Sequence, residues 1–230
     1  MPARVISLPL FPLSVVLFPT MTLRLRIFEP RYHQMLADCL AGEQRFGVVL
    51  IKEGQEVGEP AMPHEVGTVA RILGVEKKSP DLSYITTVGA ERFRLRRLVQ
   101  QRPYLMAEVE IVSLEPGDSL QVASLIEQVT PHLSTYLRLL SRATGGQIKL
   151  QRLPTDATTL AYLIAMILQI PAQEKQHLLT IPDLPALLGR EQELLRHEVK
   201  LLAVMIRAQE RRPAPDLPHQ TGEPPPFSTN

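Results

Sequence analysis

Arginines stand at every second position from 92 to 96 (Arg92, Arg94, Arg96), and the spacing recurs at Arg24 and Arg26. Residues two apart on an extended strand share a face. The triplet therefore predicts a basic strip, with Phe93 and Leu95 turned the other way. Two readings follow: a solvated sheet face whose charges are offset by interleaved acids, or a groove for an acidic partner or RNA. The only aromatic beside these arginines is Phe93, which the alternation turns inward, so base stacking has little support. Nucleic-acid binding is accordingly the alternative function, behind a role in binding proteins or peptides.

A second set is apolar. Leu10, Phe11, Leu13, Val15 and Val16 lie in a proline-broken run and are more apolar than an edge segment needs. Most should enter the core. Any that stay exposed would form a patch suited to unfolded or extended protein segments. A third set is Glu29, Arg31 and Tyr32, just after Phe28 and around Pro30. Glu29 suits the positive end of a helix dipole, and Tyr32 would hold a buried hydrogen bond. Together they would fix a corner between sheet and helix.

Catalytic patterns are missing. The histidines 33, 64, 132, 177, 197 and 219 are scattered, and none begins H-E-x-x-H. His197 lies four residues after Glu193, the spacing of an ordinary surface pair on a helix. Ser79 beside Lys78 falls in a predicted exposed turn, where a nucleophile has no positioned base. No phosphate-binding G-x-x-x-x-G-K-[ST] occurs. Cys39 falls on an apolar helix face and reads as structural. The expectation is a non-enzyme without metal or cofactor.

Composition agrees with a globular protein. Of 230 residues, 44% are apolar and 21% charged, and the net charge is +1. That balance argues against a dedicated nucleic-acid or membrane-surface protein. A single cysteine excludes an internal disulfide and fits a reducing cytoplasm. No apolar run is long enough to span a bilayer, and three prolines make the first residues a poor signal peptide.

The elements that must position these residues change type along the chain. Strands are expected over residues 5–8, 15–18, 22–27, 46–51, 67–76, 83–88, 92–98 and 104–114, with Pro9 and Pro12 in an edge-like connection. One helix interrupts them: Pro30 suits its first turn, and Tyr32, Met35, Leu36, Cys39 and Leu40 form its apolar face. After residue 117 only helices are expected. Asp118 caps the first, which Pro131 should kink or split; Asp156 caps a buried second; Pro171 starts a third; Asp183 caps a long fourth. Residues 213–230, six of them proline, should form a disordered tail. The order is α+β, divided at 1–117, 118–212 and 213–230.

The run LPLFP…VLFP…LRIFEPRY resembles the opening of the Lon protease N-terminal, or LON substrate-binding, domain. Further pieces agree in order: the stretch from Glu65 through Gly67 to Ile72, Gly89-Ala90-Glu91-Arg92-Phe93, and Pro103-Tyr104-Leu105. The family often has glycine where this chain has Thr20, which leaves the turn after Pro19 undefined. The resemblance implies a β-rich, PUA-like pseudobarrel followed by a helical bundle. It also implies a stand-alone module that recognises protein partners, in substrate recognition or protein quality control, without itself being the catalyst.

Overall fold

A computed structural model describes residues 4–58, 61–100, 103–146 and 153–210. The expected disordered tail lies outside them. Described residues form six strands and five helices: β1 (Val5–Leu13), β2 (Thr22–Ile27), α1 (Pro30–Ala41), β3 (Arg45–Glu53), β4 (Met62–Ser79), β5 (Leu82–Gln100), β6 (Leu105–Val112), α2 (Ser119–Thr144), α3 (Ala157–Ile167), α4 (Ala172–Thr180) and α5 (Leu184–Glu210). The α+β order expected from the sequence is the order found.

The strands run β2-β5-β4-β3-β1-β6, and a further β5–β6 pairing closes the ring into a pseudobarrel. Closure depends on the length of β5. Its first half pairs with β2, as at Val88 with Thr22, and its second half with β6, as at Arg92 with Val112. β4 flanks both halves. The expected break at Gly89 is therefore absent, and 83–98 is one strand. Among the described strands β2 pairs with β5 alone, which leaves its other edge open.

β1 is interior, which corrects the edge-like reading of Pro9 and Pro12. It pairs with β6 over residues 5–10 and with parallel β3 over residues 10–13. Pro9 lies where only β6 pairs and Pro12 where only β3 pairs. Each proline thus has one edge without a ladder, where a missing N–H is tolerated. Residues 15–18 are not a strand. Val16 and Phe18 face a cluster shared with the helices, while Leu17 joins a barrel cluster. The alternation is real, but in place of a neighbouring strand the Leu17 carbonyl accepts from Thr68 Oγ1 at 2.6 Å.

Two glycines explain why the chain can come so close. A Cβ at Gly67 would overlap the Val48 carbonyl and the ring of Phe93, which is fully buried inside the barrel. A Cβ at Gly89 would overlap the Phe18 carbonyl. The turn from Phe18 to Met21 lies directly on Gly89: Thr20 N–H donates to Gly89 O at 2.8 Å, and Gly89 N–H donates to Met21 O at 2.9 Å. Thr20 sits there at φ 69°, the left-handed region that glycine favours.

The helices follow their caps. Asp118, Asp156 and Asp183 accept from the N–H groups of Gln121, Thr159 and Ala186 at 2.9, 2.7 and 2.9 Å. Pro131 does not split α2, which runs unbroken to Gly145. Val122 on one side of the proline and Val129, Leu133 and Tyr136 on the other are buried in one cluster. That packing outweighs a local cost of roughly 3 kcal/mol. The same cluster takes Val16, Phe18, Leu50 and Val66 from the strand region, so barrel and helices share a core.

Candidate functional site

Some of the predicted site residues come together beside β2. Phe11 and Leu13 end β1, Arg24 to Arg26 belong to β2, and Phe28, Glu29 and Tyr32 lead into α1. All of them line one cleft of about 220 Å3, completed by Glu56 and Val57. Successive strand residues point to opposite faces. A cleft that touches Arg24, Leu25 and Arg26 in turn therefore lies along the edge of β2, the edge without a strand partner.

Aromatic stacking and ion pairs build its floor. The rings of Phe11 and Tyr32 stack at 4.0 Å, and the Arg31 guanidinium lies 4.6 Å from the Tyr32 ring. Arg31 pairs with Glu29 at 3.0 Å and donates to the Glu56 carbonyl at 3.1 Å. Glu56 in turn accepts from the Ser14 N–H. Burial pushes the Tyr32 phenol up to about 12, with Arg31 opposing, so the ring stays neutral. Its hydroxyl makes no hydrogen bond among the described residues, so the expected buried bond is replaced by stacking. Glu29 is the N-cap residue of α1 and Pro30 stands in the first turn, as expected, although Glu29 makes no side-chain capping bond.

The rim is apolar and cationic. Phe28 is 44% exposed and Val57 is 55% exposed. Arg26 lies 5.3 Å from the Phe28 ring and has no carboxylate partner among the described residues. Arg24 is instead held by Glu76 at 2.8 Å and lies over Tyr84.

The other expectations fare unevenly. Leu10, Phe11, Leu13 and Val16 are buried, and only Val15 is exposed, at 43%. The apolar opening run is therefore mostly core, because its strand is interior. Phe28 and Val57 supply the exposed apolar surface that the run was expected to offer. No alternation reveals Val57, which sits in a polar loop.

The basic strip is divided. Arg92 is 3% exposed and donates to the carbonyls of Leu179 and Ile181 at 3.0 and 2.7 Å. It cannot reach a partner, because the end of α4 covers that part of β5. A register shift after Leu95 moves Arg96 and Arg97, which pair with Glu110 and Glu108. Arg94 stays exposed on a different cavity from Arg24 and Arg26. The interleaved-acid reading describes this surface better than a continuous groove. His197 and Glu193 do not pair either; Glu193 binds Arg190 at 2.9 Å.

Among the described residues, no three His, Cys, Asp or Glu side chains gather as a metal site. No described helix is long and apolar enough to cross a membrane. Cys39 is buried, and desolvation pushes its thiol up to about 11.

Residues 7–197 match the model of the ATP-dependent protease La (LON) substrate-binding domain. The chain is 30% identical over 204 residues to the Lon protease of Anaeromyxobacter dehalogenans, covering 84% of this chain and 24% of that protein. It is also 30% identical to Lon protease 2 of Myxococcus xanthus, again over 84% of this chain and 25% of the relative. It thus spans about a quarter of these curated relatives. Among solved structures, it is similar to a Lon N-terminal domain protein from Xanthomonas campestris, with TM-score 0.56 and 26% identity, over 80% of this chain and 96% of that one. The N-terminal domain of a Mycobacterium avium complex Lon protease shares the fold at TM-score 0.63 and 17% identity, over 83% and 98%.

Proposed function

The chain belongs to the LON substrate-binding domain family, and on that premise we propose that it is a non-enzymatic module that binds unfolded or extended protein segments, as in substrate recognition for protein quality control. The observation that carries this reading is the open edge of β2 beside a cleft rimmed by exposed Phe28 and Val57. An extended segment added to that edge would make main-chain hydrogen bonds regardless of its sequence. Phe28 and Val57 would take its apolar side chains, and Arg26 would favour an acidic residue beside them. Sampling many sequences weakly is what a substrate-recognition module requires. The divided arginine strip gives less support to RNA, which needs a continuous cationic track.

The test is fluorescence anisotropy with a reduced, carboxymethylated, C-terminally amidated polypeptide as the unfolded probe, and a folded protein as control. Phe28→Ala should weaken binding about tenfold, the loss of roughly 1.4 kcal/mol, and leave the melting temperature nearly unchanged because the side chain is exposed. Equal binding of folded and unfolded probes, or no effect of Phe28→Ala, would sink the reading. A steep loss of affinity for single-stranded RNA with salt, and no polypeptide binding, would favour the nucleic-acid alternative.

A further inference from the structure

We propose that a second cavity, between β4, β5 and α4, binds the C-terminal carboxylate of a polypeptide whose last side chain is apolar. This rests on the reading that the chain binds polypeptides, but it uses a different site from the β2 cleft. The cavity measures about 590 Å3, within the range of small-ligand sites. Its charged lining is Lys52, Arg94 and Glu65, with His64 beside them. Two of the cations have no acidic partner: Lys52 and Arg94 make no ion pair among the described residues. The case of Arg94 is informative. It stands opposite Glu110 in the β5–β6 register, yet Glu110 is taken by Arg96. The neighbouring Arg97 is likewise satisfied, by Glu108. Arg94 lines the cavity with no acidic partner among the described residues.

Polar atoms without partners lie in the same lining. Gln176 is 3% exposed, and its side-chain amide donates to the Val66 carbonyl at 3.0 Å. A carbonyl only accepts, so that bond fixes which end of the amide is nitrogen. The remaining Oε1 is an acceptor without a hydrogen-bond partner, and His64 Nε2 is also unpartnered. Beside them the walls are apolar, with Leu95 and Val66 lining the cavity and Met62 and Leu98 exposed at 55% and 37%.

The cavity thus offers two cations for an anion and apolar surface for a side chain. A polypeptide C-terminus ending in an apolar residue carries both on one residue: the carboxylate and the last side chain. A free phosphate would leave the apolar walls unused. A free N-acyl amino acid carries the same chemistry as the C-terminus, so the experiment includes it.

The probe is a fluorescein-labelled Gly/Ser hexapeptide ending in leucine, compared by anisotropy with its C-terminal amide. The free carboxylate should bind at least tenfold tighter than the amide. Arg94→Ala and Lys52→Ala, both at exposed side chains, should each remove most of that preference, and Phe28→Ala should leave it intact. Equal binding of acid and amide, or an unchanged preference in both cation variants, overturns the proposal even if Phe28-dependent binding of the amidated unfolded probe stands. N-acetylleucine binding as tightly as the hexapeptide would also overturn it, since the ligand would then be a free acyl amino acid.

Discussion

Glu191 is fully buried in α5, and neither carboxylate oxygen has a hydrogen-bond partner among the described residues. Desolvation raises its pKa well above the usual carboxylate range. The sign follows from linkage. A carboxyl that holds its proton more tightly when folded contributes stability that is complete below its unfolded value of about 4.3 and is lost as pH rises toward its folded value. Glu191→Gln should therefore match the parent near pH 4 and be the more stable of the two at pH 8. Thermal melts across that range check this; parallel curves for the two proteins would contradict it. The position is legible after the fact, since Glu191 is four residues from Leu187 and from Leu195, on the same face of the helix.

At the scale of one element, the turn over Gly89 holds Thr20 at φ 69°. A β-branched residue there costs roughly 1–2 kcal/mol, while glycine would lose about 0.5–1 kcal/mol through unfolded-chain entropy. Thr20→Gly should therefore stabilise by about 0.5–1 kcal/mol and raise the melting temperature by about 1–4 °C. Gly89→Ala should act the other way, by about 2–3 kcal/mol, because the new methyl meets the Phe18 carbonyl. Melting curves of both variants decide it: a destabilised Thr20→Gly, or a silent Gly89→Ala, would remove this account of the turn. The departure from family pattern at Thr20 thus coincides with the backbone conformation that glycine favours.

Across the whole molecule, Arg92 ties the barrel to the helices. Its guanidinium satisfies two carbonyls at the end of α4 that no helical N–H can reach. Hydrogen bonds to a charged group contribute roughly 1.5–3 kcal/mol each, and removing the donor leaves those carbonyls unpaired. Arg92→Ala should lose about 3 kcal/mol and lower the melting temperature by about 6–12 °C. We propose that strands and helices, which share one apolar cluster, unfold together despite the compositional boundary near residue 117. Calorimetry showing two separate transitions would oppose that, and an unshifted Arg92→Ala would oppose the tie.

The sequence by itself determined whatever depends on near neighbours along the chain. Asp118, Asp156 and Asp183 were readable as caps because the bond each makes is to an N–H three residues on. Leu25 and Ile27 were readable as core, and Arg24 and Arg26 as surface, because strand alternation has a period of two. The family fingerprint around Phe28 to Tyr32 also survived, and most of it lies in the cleft beside β2. Only the tertiary structure decided which strand is interior and which arginine is covered. Pairing on both edges made β1 central and buried Leu10 and Leu13. The partners of Arg92 lie 87 and 89 residues away, and nothing in the spacing of 92, 94 and 96 distinguishes it from Arg94. A two-residue period assigns a face, but what covers that face is set by contacts distant in sequence.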